Sequence, residues 1–563
     1  MSANAPSNET QIAYHRRRCE ELKQIRQPWE SDWQELANNV DPTRYRAQLR
    51  AERAASRKKI IDGTGTLAYR TLKSGMHSGL TSPARPWFKL AAEDPELRDF
   101  APVKQYLSLT EERMRKVFSA SNLYTSFHTG YGDLGLFGQS CGILVEDDEK
   151  VIRMIQLLHG TFWIARDEKG RATTLYRNFR WSVQRIVGRF GLKNVSNRIR
   201  EKYDSGRYDE TFVIWQAIEP RLNRNPDSAA KWDMPYLSNY WEEGGDGDKL
   251  LEESGFEENP IIAPPWELSG DDHYATSPGQ DAIGDVKMLQ KEQSRKLEGI
   301  DKQVRPPMTG PTSMRNNPAS LLPGSITYVD AQSANVGYRP AMQVDLRLGE
   351  LREDINETQR RVDRTFYADL FLMLANMEGI QPRNQFEIAE RKEEKLLALG
   401  PVLENIYNGQ LEPIIERSYA IMNRREMLPP PPPDLQKKNL GIEYTSMLAQ
   451  AQKAVATGSI ERGVAFVGQL SAVKPDVLDK IDADEAVDVY FDYIGVPPSI
   501  VVPDDEVAKT RQARAQKQQA AESAAMAATM APAAKQGAEA ASVLADAQNN
   551  AGGGALLQKL GIG

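Results

Sequence analysis

Residues 344–374, VDLRLGELREDINETQRRVDRTFYADLFLML, carry apolar side chains at helical spacing. The apolar positions follow one another mostly at steps of three and four, and Thr358 fills the one gap: Val344, Leu348, Leu351, Ile355, Val362, Phe366, Leu370 and Met373. This period predicts one long, straight helix, roughly 45 Å in length at about 1.5 Å per residue. Arg, Glu and Asp cover the rest of its surface, so the narrow apolar stripe requires a partner.

A second long helix is predicted upstream, at 277–304, with Ser277 as its N-cap and Pro278 at its first helical position. The residues between the two helices, 305–340, are rich in Pro, Gly, Asn and Ser and contain one short predicted strand, SITYVD. A narrow stripe on each helix cannot bury much area within one chain, although burying a Leu or Ile contributes roughly 1.5–3 kcal/mol. Neighbouring copies in a closed ring would supply the partners.

A polar segment, NMEGIQPRN at 376–384, follows the long helix. Gly379 permits backbone angles that other residues avoid, while Pro382 fixes one dihedral and restricts Gln381. We predict a loop here, with more helix over 385–425. An ordinary surface turn between two helices is the alternative to a specialised loop.

The first half of the chain changes from helical to strand-like patterns. Helices are predicted from residue 8 to about 39, with an interruption at Pro28, and at 64–79 and 102–118. Runs of β-branched and aromatic residues then predict strands at 142–148, 151–158, 161–167, 172–180, 211–220 and 234–243. Because the strands follow helices without alternating with them, we predict an α+β body.

The C-terminal part begins with five consecutive prolines, Pro429 to Pro433, which predict a stiff spacer. Helical segments are predicted from there to about Tyr493. From Asp504 the chain is rich in Ala and Gln and contains AGGG near its end, which predicts part helix and part disorder.

The composition allows several folded domains, because 40% of the 563 residues are hydrophobic and 26% are charged. No stretch approaches the ~20 apolar residues of a membrane helix, and the N-terminus lacks the apolar segment of a signal peptide. Two distant cysteines, Cys19 and Cys141, suit a reducing compartment and a cytosolic protein. The net charge of −7 argues against a protein that wraps nucleic acid tightly along its whole surface.

One run of positive charge departs from this balance. Seven basic residues lie within 44–59, with Glu52 as the one acid: Arg44, Arg46, Arg50, Arg53, Arg57, Lys58 and Lys59. A solvated helix face and a nucleic-acid contact are both compatible with this pattern.

Motifs typical of enzymes are present only in unsuitable surroundings. GQSCG at 138–142 fits G-x-S-x-G with Ser140 as a nucleophile, but that elbow requires a helix after the serine, and a predicted strand follows instead. DGTGTLA at 62–68 fits a dinucleotide motif, but a charged segment precedes it, so we predict a helix N-terminus capped by Asp62 or Thr64. The five histidines and EDDEK at 146–150 show no metal-site spacing. We therefore predict no catalytic site, cofactor or metal.

Three longer segments carry a family resemblance: SGMHSGLTSPARPWFKL (74–90), DLGLFGQSCGILVEDDE (133–149) and FEIAERKEEKLLALGPVLENI (386–406). They resemble the portal proteins, or head-to-tail connectors, of short-tailed bacteriophages, and the resemblance extends from about Tyr14 to Tyr493. It implies an α+β, mainly helical portal fold with a wing, a two-helix stem, an inserted clip and a helical crown, assembled as a ring.

The resemblance also implies a division of this chain. Residues 1–275 would form the wing, with strands at about 143–180 and 211–243, and 385–428 would add wing helices. The stem helices would be 276–304 and 342–375, with the clip at 305–341 between them. Residues 429–502 would form the crown after the polyproline linker, and 503–563 a crown extension or disordered tail. A tunnel loop at 376–384 would face DNA through Asn376, Met377, Glu378, Gly379, Ile380, Gln381, Arg383 and Asn384.

The implied function is that of a structural ring, usually of twelve subunits, at one capsid vertex of the virion. Double-stranded DNA would pass through it without sequence recognition during packaging and ejection. The implied partners are the major capsid protein, a scaffold, the terminase large subunit and then a tail adaptor, with assembly in the host cytoplasm and no membrane. An internal core or scaffold protein of the virion is the main alternative, and a hydrolase at Ser140 is another.

Overall fold

The computed structural model describes residues 9–45, 59–94, 97, 100–228, 230–245, 249–309, 339–340, 348–375, 399–435, 440–446 and 448. Nearer the C-terminus it describes 463–470, 474, 484–487, 490, 502, 507–521 and 542. The chain divides into two units, Met1–Val455 and Ala456–Gly563.

Four helices dominate the first 140 residues: α1 (Gln11–Asn39), α2 (Thr64–Leu80), α3 (Ala101–Ala120) and α4 (Leu123–Phe137). The Thr10 side chain caps α1 by accepting a hydrogen bond from the Ala13 amide at 3.3 Å. Large side chains of α1, α2 and α4, such as Trp33, Tyr69 and Phe137, are buried together in the main core. The helices predicted at 64–79 and 102–118 are thereby confirmed.

The strand-rich middle follows the predicted order. It comprises β1 (Phe88–Ala92), β2 (Gly142–Asp147), β3 (Val151–Gln156), β4 (Phe162–Arg166), β5 (Ala172–Ser182), α5 (Val183–Phe190), α6 (Asn197–Asp204), β6 (Thr211–Pro220), β7 (Tyr236–Glu242), β8 (Glu252–Phe256) and β9 (Ile261–Ile262). Strands β4 to β8 form an antiparallel sheet in sequence order, and β3, β2 and β9 form a second sheet. The six predicted strands are confirmed, and the chain is a mixture of helix and sheet.

The second half of the first unit is mainly helical. Its elements are α7 (Pro278–Val304), β10 (Met308–Thr309), β11 (Arg339–Pro340), α8 (Leu348–Thr365), α9 (Ala368–Ala375), α10 (Gly400–Ile406), a π-helical segment (Tyr407–Leu411), α11 (Glu412–Arg424) and β12 (Leu440–Tyr444). Ser277 caps α7 in a reciprocal capping box with Gln280, and Pro278 occupies the first turn, as the sequence predicts.

The long straight helix predicted over 344–374 is wrong in one respect, because the helix breaks between α8 and α9. Tyr367 adopts a φ of 53°, which ends the regular hydrogen-bonding pattern. The break lets Phe371 pack against Gly75 of α2 so closely that a Cβ at Gly75 would lie 2.2 Å from the ring. Tertiary packing against α2 therefore outweighs the helical period of the segment.

The prediction that the second stripe needs a neighbouring copy is also wrong for most of its length. Ile355, Thr358, Val362, Phe366 and Leu370 are each at most 3% exposed in the single chain. Helix α8 contacts both α7 and α2, so these helices cover the stripe. The half of α7 after about residue 294 is different, because its side chains are exposed or only partly buried.

The predicted interruption of α1 at Pro28 is likewise absent. The helix continues through Pro28, although proline in a helix interior lacks one backbone donor and typically costs about 3 kcal/mol. Leu22 and Trp33, on the turns before and after it, are each at most 1% exposed. Burial on both sides of the proline holds the helix together.

A polar network joins α1 to the five-stranded sheet at His15. The His15 Nδ1 lies 2.9 Å from the Tyr176 hydroxyl, which donates to Glu219 Oε2 at 3.3 Å, and Asn239 Nδ2 lies 3.0 Å from His15 Nε2. The ring also stacks on Trp241. Glu219 Oε1 lies 4.0 Å from His15 Nδ1, but burial decides the outcome and lowers the pKa of His15 to about 4.

This network predicts a loss of stability in mild acid. The unfolded chain takes up a proton at His15 near pH 6.5 while the folded chain resists it to about pH 4, so stability is lost as pH falls through that window. Between pH 7 and 5 this linkage is worth about 2 kcal/mol. Urea unfolding should show a smaller pH effect in His15→Gln than in the parent; equal pH effects would contradict the assignment.

The first unit extends further along the chain than the sequence predicts. Strand β12 lies after the five prolines and pairs antiparallel with β1, with Phe88 opposite Tyr444 and Ala92 opposite Leu440. Leu448 is buried against Gly79 of α2. The first unit, which ends at Val455, therefore includes residues on both sides of the five prolines, and the start of a crown at 429 stays a prediction.

The second unit is helical at 463–470, which agrees with the helical segments predicted up to about Tyr493, and at 507–521, which agrees with the predicted helix in the Ala/Gln-rich segment. Arg511 forms an ion pair with Asp484 at 2.5 Å between exposed side chains. Throughout the described part of the chain, every helix is too short or too polar to cross a membrane.

Candidate nucleic-acid interface

The two helices that bracket the predicted insertion, α7 and α8, pack against each other. Arg361 of α8 donates to Asp285 of α7 through Nε at 3.2 Å and Nη2 at 3.1 Å. The same arginine donates to the Thr358 hydroxyl at 3.2 Å. Because both charged side chains remain partly exposed, the pair defines the register of the two helices more than it stabilises them.

Asp62 connects this helix pair to α2. Its Oδ1 accepts from the Thr64 amide at 2.9 Å, and its Oδ2 accepts from Gln293 of α7 and Gln359 of α8, each at 3.3 Å. Gln290 pairs with the Asp62 backbone, donating to its carbonyl at 2.7 Å and accepting from its amide at 3.0 Å. The segment begins a helix, as predicted, but the N-cap position of α2 is Gly63, so the predicted cap at Asp62 or Thr64 is wrong by one residue, although Asp62 still accepts from the first helical amide.

Sequence reasoning missed this second role of Asp62. Gln290 and Gln293 are spaced i, i+3 on the partly buried side of α7, and Gln359 is partly buried on α8. The one sequence signal for this role was the presence of glutamines in otherwise charged helices, and such glutamines are also typical of an ordinary solvated helix surface. A further acidic contact lies beside it, where burial and the neighbouring Asp354 carboxyl raise the pKa of Glu292.

The ends of the predicted clip meet beside the helix pair. Strand β10 directly follows α7 and pairs antiparallel with β11, with Met308 opposite Pro340 and Thr309 opposite Arg339. The segment that leaves the first helix therefore returns to the same place before α8. Most of the predicted clip, 310–338, lies outside the described residues.

The predicted DNA-facing loop also lies outside the described residues, because the description stops at Ala375 and resumes at Leu399. This applies to all eight of its residues, Asn376, Met377, Glu378, Gly379, Ile380, Gln381, Arg383 and Asn384. Helix α9 leads directly to this segment, and Leu372 on its last turn is exposed. The loop stays a prediction.

Ser140 does not lie on a nucleophile elbow. Helix α4 ends at Gly138, which has a φ of 75°, and β2 begins at Gly142, so the order is helix, turn, strand rather than strand, turn, helix. The serine is 2% exposed, and its Oγ accepts a hydrogen bond from Gln156 at 3.0 Å. It is part of the packing between α4 and β3.

An ion pair close to Ser140 is expected to contribute far more to the stability of the fold than the serine does. Asp133 of α4 is fully buried and accepts from Arg44, with Nε at 2.8 Å from Oδ1 and Nη2 bonded to Oδ2. Burial raises the pKa of Asp133, and the Arg44 charge opposes that shift. Arg44 therefore belongs to this ion pair and is not part of an exposed basic surface. Of the other residues in the predicted basic run, Lys59 is exposed, and those between Arg44 and Lys59 lie outside the described residues.

Substitution at the two neighbouring sites should separate their roles. Ser140→Ala removes one hydrogen bond and is expected to cost about 1 kcal/mol or less. Asp133→Ala leaves the Arg44 charge without its partner and is expected to cost about 3–5 kcal/mol. Urea unfolding, monitored by tryptophan fluorescence, measures both losses of stability. A Ser140→Ala variant that folds and assembles normally but packages DNA poorly would contradict a purely structural role of the serine.

Within the described residues, no cluster of His, Cys, Asp and Glu has the geometry of a metal site. The described elements that border the predicted clip and the predicted DNA-facing loop are thus the α7–α8 pair, the closed base of the insertion and the end of α9. These are elements of shape and charge, without an assembled set of reactive side chains.

Comparison with known proteins covers nearly the whole chain. The family model of bacteriophage head to tail connecting proteins matches residues 14–501. The portal protein of Salmonella phage epsilon15 is 43% identical over 509 residues, which are 90% of this chain and 91% of that protein. The probable portal protein of Bordetella phage BPP-1 is 42% identical over 509 residues, with the same coverage. The chain belongs to the family of bacteriophage head-to-tail connecting proteins.

Proposed function

We propose that this chain is the subunit of a portal ring at one capsid vertex. Such rings usually contain twelve copies, and the genome enters and leaves the capsid through the ring. The observation that carries the proposal is the pairing of α7 with α8 around an insertion whose two ends meet at β10 and β11. Helices 276–304 and 342–375 would be the stem, and 305–341 the clip. The body before residue 276, together with 385–428, would be the wing.

The crown would begin later than the polyproline segment, because the first unit continues to Val455. Residues 456–502 would form the crown, and 503–563 its extension or tail. The tunnel loop at 376–384 would project into the channel from the end of α9. Its position at the constriction is supported by the family membership and by its place in the chain directly after α9.

The charge of the second stem helix suits a sliding surface. Between Val344 and Leu370 there are seven acidic residues and five arginines. The exposed acids are Glu350, Glu353, Asp354 and Glu357, and the exposed arginines are Arg352, Arg360 and Arg364, so the excess of negative charge is small. A mildly acidic wall repels phosphates and keeps the contact with moving DNA weak.

The packaging energy would come from a separate motor. We propose that the terminase large subunit docks at the clip during packaging and that a tail adaptor replaces it afterwards. The major capsid protein and a scaffold would contact the ring during assembly in the host cytoplasm. In this account the ring is structural and performs no catalysis.

Native mass measurement combined with circular dichroism tests the proposal. A portal should give a large closed oligomer with mixed helix and sheet content in the absence of DNA. A scaffold or internal core protein should be mostly helical, which disagrees with the five-stranded sheet β4–β8. A stable monomer at micromolar concentration and physiological salt would contradict the ring.

A further inference from the structure

The connection between β5 and β6 carries a concentrated positive charge. Residues 180–207 contain eight arginines and lysines against two acids, in a chain whose net charge is −7. This segment folds as the helices α5 and α6. Because β5 pairs with β6 from Ser182 opposite Thr211 onward, both helices lie at one end of the five-stranded sheet.

The two helices form a folded platform with a core of their own. Val183, Ile186, Phe190 and Ile199 are buried together with Leu251, which follows β7. The β7–β8 connection also contacts this platform, because Lys249 Nζ donates a hydrogen bond to the Lys193 carbonyl at 2.6 Å. The charged side chains are therefore presented on a surface whose backbone is fixed by packing.

Some of these charges are neutralised within the chain. Arg189 pairs with Glu252 at 3.1 Å, Lys202 with Glu210 at 3.0 Å, and Arg198 lies 3.7 Å from Glu242. The other basic side chains form no ion pair with a carboxylate in the described part of the chain: Arg180, Arg185, Lys193, Arg200 and Arg207. The Arg185 guanidinium lies instead over the Trp181 ring, 4.2 Å from its centroid.

We propose that this surface binds the phosphodiester backbone of duplex DNA on the outside of the protein, without sequence recognition. DNA interfaces are strongly positive and polar, whereas charged residues are depleted at the centre of protein interfaces. Here the five basic side chains without an ion pair outnumber the two exposed carboxylates of the segment, Glu201 and Asp204, and only a few exposed apolar side chains, such as Leu192 and Tyr208, lie among them. Arginine, which forms bidentate contacts with phosphate, supplies four of the five.

A neighbouring cleft is not the phosphate site. It has a volume of about 230 Å³ and is lined by Asn194, Ser196, Arg200 and Lys249, but also by the buried carboxylate of Glu242. That carboxylate repels an anion, so the contact belongs on the outer faces of α5 and α6. In a filled head the packaged genome would be the DNA available to this surface, a role that rests on the proposed portal function.

A covalently closed circular duplex distinguishes this surface from the channel, because a circle cannot enter a channel by its end. We compare the full-length protein with the triple variant Arg185→Gln, Lys193→Gln, Arg207→Gln. The control triple is Lys169→Gln, Arg224→Gln, Lys231→Gln, which removes three exposed charges at the opposite end of the same sheet. Affinity is measured across a salt series, and native mass is recorded for each sample.

The parent and the control should bind the circle with affinity that falls steeply with salt. The α5–α6 triple should bind at least about tenfold more weakly at low salt. The slope of its log affinity against log salt should become shallower by about two to three, because each phosphate contact that is lost removes roughly 0.9 from the slope. Equal losses in both triples overturn the proposal. Binding of a polyglutamate peptide in preference to the circle would also overturn it and assign an acidic protein partner. If native mass shows no rings while the circle still binds, the proposed portal function is refuted and the proposed DNA-binding surface is not.

Discussion

The double variant Leu297→Asp, Val304→Asp is expected to fold but not to form rings. Leu297 and Val304 of α7 are 59% and 72% exposed in the single chain, and Ile300 lies between them at i, i+3, i+7 spacing. Each apolar side chain buried between subunits contributes roughly 1.5–3 kcal/mol. Placing a carboxylate at each position removes that gain and adds a desolvation cost at every interface of the ring.

The matched control is Arg295→Gln, Lys302→Gln. It lowers the net charge by the same two units on the opposite face of α7, where both side chains are exposed. Sedimentation at micromolar concentration should show monomers for the first variant and rings for the control. Circular dichroism should be the same for both. Intact rings in the Leu297→Asp, Val304→Asp variant would show that this stripe lies outside the subunit interface.

Replacement of 377–381 by a Gly/Ser link of the same length should give normal rings and procapsids but fewer DNA-filled heads. The segment follows α9, and family membership supports placing it at the narrowest part of the channel. A loop that closes around the duplex would retain DNA late in packaging, and a Gly/Ser link cannot do so. An ordinary surface turn would tolerate the exchange.

The control exchanges 224–228 in the exposed β6–β7 connection for the same link. Counting filled and empty heads by electron microscopy should show a defect for the loop variant alone. Heads that fill and retain DNA like the parent would show that the loop is not at the constriction. The placement of the stem helices would then have to be revised.

Local patterns predicted the elements that depend on local residues. The six strands β2–β7 follow from β-branched and aromatic runs, and the start of α7 follows from Ser277 and Pro278. The family resemblance stated from three segments is confirmed by the match over 14–501. These predictions needed no knowledge of distant contacts.

The errors all involve contacts between distant parts of the chain. Tyr367 breaks the long helix because Phe371 packs on Gly75, which lies far away in sequence. Strand β12 pairs with β1 across most of the first unit, and nothing near 440 indicates that pairing. Asp62 was predicted as a cap, but its bonds to Gln293 and Gln359 depend on the packing of three helices.

We propose that α7 and α8 surround a channel in a closed ring. A three-dimensional electron cryomicroscopy reconstruction of the purified protein tests this most directly. We expect a ring near twelvefold symmetry with a central hole, the α7–α8 pairs arranged around it, and the insertion between β10 and β11 at one end. A monomer, an open filament, or a ring whose hole is lined by the β4–β8 sheet would contradict the account.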